Sequence, residues 1–363
     1  MDSLPAELLG SGSYPADEVS FLLRPVAIAS TDVAEKERLI QTRQRHYSEM
    51  ISHESAPSER HMAFYQRALA QNGPRMARDV LALASALSAA CVERQPVVLV
   101  SLVRAGIPLG VLLRRALRRC GHEVFHYGVS IIRDRGIDQQ ALSMILARHA
   151  AANLFFVDGW TGKGVIAREL QRSAAGLPQP PRLVVLADPC GHAWLAASAE
   201  DWIIPSGVLG ATVSGLVSRS IWPVDGGLHG SMVYHHLREA DVSTPFIQAI
   251  EAFQADVAPV AAALPWPVQQ AAGLQQGSQR VMQWLADRHA VHQPNRIKPG
   301  IAEATRALLR RMPEQVLVRH LGDPDVQLLV YLARQAQVSV EEVGKQIAPY
   351  RAATIIRSAG DAK

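Results

Sequence analysis

NLFFVDGWTGKGV, residues 153–165, holds the key to the architecture. An apolar run ends at Asp158, a glycine-dense turn follows, and a helical pattern, GVIARELQRSA, starts at Gly164. The order is strand, turn, helix. Gly159, Gly162 and Gly164 let backbone amides approach an anion, Thr161 adds a hydroxyl donor, Lys163 adds a full charge, and the helix presents its positive end. Asp158, at the strand tip, suits hydrogen bonding to vicinal hydroxyls beside such an anion. The stretch is not a Walker A loop, because Val157 stands where that motif has its first glycine and Gly164 where it has Ser or Thr.

On either side, short runs rich in Val, Leu and Ile alternate with helical patterns. PVVLVSL (96–102), EVFHYGVSII (123–132), RLVVLAD (182–188) and WIIP (202–205) read as further strands. PLGVLLRRALRR and DQQALSMILARHA read as helices, the second with Asp138 as N-cap. Alternation of this kind predicts an α/β fold, a parallel sheet flanked by helices, with ligands taken at the carboxyl ends of the strands. Residues 1–95 read as an N-terminal helical extension in which Gly73 and Pro74 separate two helices. The α/β domain is expected over 96–250. Residues 251–294, rich in Ala, Pro and Gln, read as a linker with one helix, VMQWLADRHA. Residues 295–363 then read as a small α/β unit: helix, strand, helix, strand.

The 363 residues are 48% hydrophobic, enough for a sizeable core. No run of apolar residues is long enough to span a membrane, and MDSLPAELLG lacks the pattern of a secretory signal, so a cytoplasmic protein is expected. Cys91, Cys120 and Cys190 are far apart and without CxxC spacing, which disfavours a disulfide framework or a structural zinc. Residues 1–290 balance 26 Lys and Arg against 26 Asp and Glu, leaving 11 against 7 in 291–363, so the whole net charge of +4 lies at the C-terminal end. That asymmetry points to an anionic partner at this end.

The turn resembles the donor-binding loop of type I phosphoribosyltransferases, with Asp158 and then Thr161-Gly162-Lys163 in the matching places. SLVRAGIPLG (101–110) resembles that family's pyrophosphate loop through Arg104, Ala105 and Gly106, and SIIRDRGID (130–138) stands where its mobile loop carries cations, here Arg133 and Arg135. The resemblance implies a phosphoribosyltransferase-like sheet that binds PRPP with magnesium (Mg2+) through Asp158, Gly159, Thr161, Gly162, Lys163, Gly164, Ala105 and Gly106. It further implies transfer of phosphoribose to or from a nitrogenous base or nucleoside-like metabolite. Asp158, Arg104, Arg133 and Arg135 would then be catalytic, and Asp188 would approach the metal. SGLVSRS reads either as part of an acceptor pocket, through Ser214, Ser218 and Arg219, or as a polar surface loop.

Most of residues 10–250 is also similar to a family of bacterial tellurite-resistance and stress operons, described both as phosphoribosyltransferase-like and as the cysteine protease StiP. The pieces that carry the likeness include SGSY, YSEMIS, FVDGWTGKG and IPSGVLGATVSGLVSRS. The protease description supplies an alternative in which Cys190, with His192 or His229, is a nucleophile and base pair. IKPGIAEATRALLRR (297–311) resembles the opening of a Pelota-like RNA-binding domain, which implies RNA contacts from Lys298, Gly300, Glu303 and Arg306. A non-catalytic sensor of a phosphoribosyl metabolite coupled to RNA binding is a further alternative. A homodimer is compatible with all of these readings.

Overall fold

The computed structural model describes residues 8–358; the N-terminal stretch read for a targeting signal lies largely outside them. Its central sheet has six strands: β1 (Ser20–Phe21), β2 (Val97–Leu102), β3 (Val124–Val129), β4 (Leu154–Val157), β5 (Leu183–Ala187) and β6 (Leu195–Ser198). Their order is β1-β3-β2-β4-β5-β6, and every neighbouring pair is parallel. Each residue of β2, β4 and β5 is buried. The unbroken apolar runs in the sequence reflect a sheet covered on both faces.

One face carries α2 (Glu59–Ala90) and α3 (Gly106–Arg119), joined by α6 (Ser243–Ala255), and packs Met76, Leu83, Leu112 and Phe246. The other carries α4 (Gln139–Leu146) and α5 (Val165–Ser173), with Leu142, Ile145 and Leu170. A short helix, α1 (Val33–Gln41), capped by the Asp32 carboxylate, precedes α2 in the chain. Asp138 caps α4 as expected, accepting the Ala141 amide at 3.0 Å.

Three expectations need correction. Helix α2 runs unbroken through Gly73 and Pro74; proline removes one amide donor, and Gly73 is small because Phe253 of α6 lies where a Cβ would sit, at 2.4 Å. WIIP is not a strand: Trp202, Ile203 and Ile204 are buried in loop, ahead of a four-residue turn of helix, and the sixth strand is the less apolar LAAS. The N-terminal extension is not helical alone, since its β1 extends the sheet beside β3 while α2 covers one face.

The C-terminal unit begins earlier than its sequence suggests. Helix α7 (Val268–Arg288) places Val281 and Leu285 against Ile297, Leu317 and Ile355. It belongs to the packed unit rather than to a linker. The unit continues with β7 (Ile297–Pro299), α8 (Ile301–Arg310), β8 (Pro313–Val318), α9 (Gln327–Gln335), β9 (Ser339–Glu342) and β10 (Ala352–Ile356), in sheet order β7-β10-β8-β9. Ile301, Ala304 and Val316 share a continuous apolar cluster with Trp160, Trp202 and Val208 of the larger unit. The two units are fused through their cores.

Gly106 serves this packing. A Cβ there would lie 2.1 Å from the Val157 carbonyl oxygen, so the first turn of α3 can approach the end of β4 only with glycine. Gly106→Ala is expected to destabilise the chain by about 2–3 kcal/mol through overpacking against backbone, read by urea denaturation.

Candidate functional site

The chain leaves β2 toward β3 on one side and later returns to β4 on the other, so the carboxyl ends of β2 and β4 flank the point where the strand order reverses. Open parallel sheets bind ligands there. Residues 103–105 after β2, with Asp158 and 160–164 after β4, indeed form one wall of a cleft of about 370 Å³, while Gly159 does not line it. The opposite wall is the C-terminal unit, through Lys298, Glu303, Arg306, Arg310 and Arg311.

Asp158 lies at the tip of β4, its carboxylate accepting the Gly159 amide at 2.8 Å. Burial drives its pKa up to about 7, against that hydrogen bond and the attraction of Arg306. Thr161, Gly162, Lys163 and Gly164 line the cleft. Gly164 opens α5 with φ of +73°, a conformation glycine adopts readily. The Lys163 ammonium donates to the carbonyls of Pro294 (2.5 Å) and Ile297 (3.0 Å), and burial, then Lys298, pull its pKa down to about 7.

Arg104 is buried and donates to Glu54 at 2.7 and 2.9 Å and to the Val217 carbonyl at 2.9 Å. Burial would raise the Glu54 pKa, but Arg104, Arg310 and the Ala211 amide hold it at about 2. Arg133 faces the cleft, with its guanidinium 5.0 Å from the Tyr47 ring centroid and 3.0 Å from Asp134. Arg135, expected to close over a ligand from the same loop, instead pairs with Glu49 and stacks on Trp222 at 4.6 Å. The expected mobile loop is a tight hairpin, Ile131–Ile132 paired with Gly136–Ile137.

The acceptor-pocket residues part company. Arg219 lines the cleft, bound to the carbonyls of Tyr47 and Met50. Ser214 and Ser218 are buried in loop hydrogen bonds to Gly210 and to Arg219 and Ser231, so they form neither an acceptor pocket nor a surface loop. Gly159 and Ala105 touch one another, a Cβ on Gly159 falling 3.1 Å from the Ala105 carbonyl oxygen.

Asp188 does not suit a metal. Its carboxylate is fully buried and accepts from Thr161, the amides of His192 (3.2 Å) and Ala193 (2.8 Å), and the Trp266 indole (2.9 Å). Both oxygens are committed within the protein. Among the described residues no group of three His, Cys, Asp or Glu could hold a metal ion.

Cys190 is buried directly behind the Thr161 hydroxyl, to which its thiol donates at 3.1 Å, with Asp188 at 3.5 Å. Burial and the Asp188 charge push the thiol pKa up. His192 follows two residues later, its ring 3.0 Å from Arg168 and packed where a Cβ on Gly164 would lie. Burial, then Arg168, lower its pKa, so the imidazole is neutral at pH 7. His229 belongs elsewhere, bonded to Ser130 at 2.6 Å.

The sequence reading missed Glu54, Lys36, Arg310 and Arg311, which have no motif to mark them. Arg311 pairs with buried Glu37 of α1. It also missed Asp201, whose carboxylate caps α8 from the larger unit by accepting the Ile301 amide (3.0 and 3.2 Å) and the Arg351 amide (2.8 Å). That contact turns Lys298, Glu303 and Arg306 inward. Gly300, with φ of +88°, makes the bend that lets Asp201 reach the helix end.

Residues 12–251 match a family model described as tellurite-like stress resistance cysteine protease StiP, and residues 275–358 match the PELOTA RNA binding domain. The cysteine protease StiP of Acinetobacter baylyi is 49% identical over 367 residues, covering 96% of this chain and 95% of its own length. The chain belongs to the StiP family. Its likeness to solved structures is slight. Hypoxanthine phosphoribosyltransferase of Trypanosoma cruzi with the product IMP is 15% identical, over 38% of this chain and 72% of that chain, at a TM-score of 0.25. A second structure of the same enzyme is 14% identical, over 38% and 77%, at 0.24.

StiP membership corrects the expected reaction. The family and its relative over nearly the full length carry a protease description, and transfer of phosphoribose from PRPP is set aside on that finding. Among the described residues of this StiP-family chain no helix is long and apolar enough to cross a membrane.

The raised pKa of Asp158 sets a testable pH dependence. The folded chain keeps this proton up to pH about 7, whereas the unfolded chain loses it near 3.8, so the contribution of Asp158 to stability falls as pH rises between those values. Asp158→Asn is expected to remove that slope. Each pH unit separating the folded and unfolded pKa values is worth about 1.4 kcal/mol, so the variant should be more stable than the parent at pH 8 by on the order of 2–4 kcal/mol. At pH 4 the two should be nearly equal. Denaturant titrations at both values read the difference.

Proposed function

We propose that this chain is a thiol-dependent peptidase of stress resistance whose nucleophile is Cys190. One observation carries the assignment. Of the three cysteines only Cys190 lies at the carboxyl edge of the sheet, one side chain behind the cleft wall, while Cys91 and Cys120 end α2 and α3 at the opposite edge. The sulfur would attack a peptide carbonyl carbon as the thiol proton passes to a base, with neutral His192 the nearest in sequence. The amine would depart with that proton, and water would then hydrolyse the thioester.

In this arrangement the thiol is at rest. It is protonated, and the two turns around it are strapped from the C-terminal side: Tyr350 donates to the Gly162 carbonyl at 2.9 Å, Gln275 to the Gly191 carbonyl at 2.7 Å, and Trp266 to Asp188. Attack requires these turns to move, which suits an enzyme that is switched on rather than constantly active.

The RNA-binding type of the C-terminal domain supports a second role, contact with structured RNA. Lys298, Glu303 and Arg306 face the cleft, and Asp201 occupies the end of α8. RNA therefore reaches this face only when the domain lifts from Asp201.

Two sets of variants test these readings. Cys190→Ala is expected to abolish peptide cleavage with the fold preserved, whereas Cys91→Ala and Cys120→Ala leave it intact; cleavage by the Cys190→Ala chain would sink the peptidase assignment. Asp201→Ala is expected to raise the affinity of the full chain for structured RNA at low salt, with a steep salt dependence. An unchanged affinity, with hydrogen exchange showing α8 released, would remove RNA from the account.

A further inference from the structure

A second cavity, of about 330 Å³, lies beside the cleft and shares with it four cationic side chains, Lys36, Arg104, Arg219 and Arg310. No residue of the Gly-rich turn 158–164 lines it. Three parts of the chain build it: the segment 51–58 between α1 and α2, the turn at 209–212, and the C-terminal unit. Its apolar wall is Val33, Ile51, Pro57, Leu209, Leu309 and Leu332, so a bound molecule would meet hydrocarbon over much of its surface. Exposed Ser55 and Ala56 stand at the rim.

The polar groups that converge there lack partners. Tyr234 is 6% exposed, yet its hydroxyl has no hydrogen bond among the described residues. Burial raises its pKa, against the pull of Arg104, so it stays a neutral donor. Thr212 is 3% exposed, and its hydroxyl likewise has no partner among them. Buried hydroxyls are nearly always hydrogen-bonded, so two idle ones on one cavity mark the place of a ligand oxygen.

Charge is unbalanced in the same sense. Glu54 is the one carboxylate of the lining among the described residues, and both its oxygens are committed, to Arg104, the Ala211 amide and Arg310. Lys36 is buried, and its ammonium has one hydrogen bond among the described residues, to Ser52 at 2.5 Å. Glu37 beside it is taken by Arg311. Burial, then Arg219, brings the Lys36 pKa down to about 7. Arg310 has only the shared Glu54, at 3.7 Å, and its field reaches both Lys36 and Tyr234. One negative charge among these groups would relieve the repulsion and occupy the hydroxyls.

We propose that this cavity binds a small apolar carboxylic acid, a short aliphatic or aromatic monocarboxylate in class. Its carboxylate is held by Lys36, Arg310 and the hydroxyls of Tyr234 and Thr212, and its hydrocarbon lies against Ile51, Leu209 and Leu332. The site is independent of the peptidase reading, since Cys190 lies behind Thr161 and lines neither cavity.

Calorimetry on the full chain with hexanoate, hexanamide, acetate and orthophosphate tests it. Hexanoate is expected to bind about tenfold or more tightly than hexanamide, which lacks the charge, and than acetate, which lacks the hydrocarbon. Tyr234→Phe keeps the ring and removes the hydroxyl; it is expected to weaken hexanoate by roughly tenfold at an unchanged melting temperature, and Lys36→Met by at least as much. Lys163→Gln alters the cleft alone and should bind hexanoate like the parent, as should Cys190→Ala. No binding at millimolar hexanoate would overturn the proposal, as would equal affinity for hexanamide or orthophosphate, or affinity indifferent to both Tyr234→Phe and Lys36→Met. Affinity lost in Lys163→Gln would assign the acid to the cleft and also overturn it. Should Lys36→Met lower the melting temperature, Tyr234→Phe alone decides.

Discussion

A single buried carboxylate governs how the two units meet. Asp201 accepts the amide at the start of α8 and that of Arg351, and its own pKa is driven up to about 6 by burial, against the pull of those two amides. Few acceptors can satisfy the open end of a helix inside a protein, and a carboxylate does so while complementing the helix dipole. Because the contact fixes the direction of α8, it decides that Lys298, Glu303, Arg306 and Arg310 face the Gly-rich turn rather than solvent. Trp202, Ile203 and Ile204, adjoining Asp201 in sequence, complete the joint as buried apolar surface.

Two consequences meet at the carboxyl edge of the sheet. The cleft acquires cations from both sides, which no single unit would tolerate without more counter-charges. The turn that carries Thr161 is meanwhile pinned from above by Tyr350 and Lys163, and the turn that carries Cys190 by Gln275 and Trp266. Charge imbalance and a buried thiol thus have one origin, the closure of the C-terminal unit over the switch point. The low pKa of Glu54 and the pairing of Arg104 show the protein neutralising part of that charge with its own residues and leaving the rest.

The parallel sheet was legible because burial on both faces demands unbroken apolar runs, and β2, β4 and β5 have them. The strand-turn-helix at 153–165 was legible for a similar reason, as was the Asp158-to-Gly164 wall of the cleft. WIIP misled because burial beneath a second unit leaves the same apolar mark as burial in a sheet. Gly73-Pro74 misled because local propensity marks a break, while the packing of Phe253 demands a glycine and tolerates one missing helix bond. The span 251–294 looked like a linker because its composition is Ala and Gln, yet the sparse apolar positions Val281 and Leu285 suffice to dock α7.

The α/β class, the Gly-rich turn at a strand end, the family and the presence of a second small domain were all written in the chain itself, because each depends on residues close together along it. Which charges face one another was left to the folded arrangement. Glu54 meets Arg104 from 50 residues away, Glu37 meets Arg311 from 274 residues away, and Asp201 reaches Ile301 from 100 residues away. The fold also made Asp188 a saturated internal acceptor and Cys190 a quiet thiol behind Thr161. Motifs state which chemical groups a chain owns; burial and distance, which depend on the entire fold, set the charge, the partners and the access of each one.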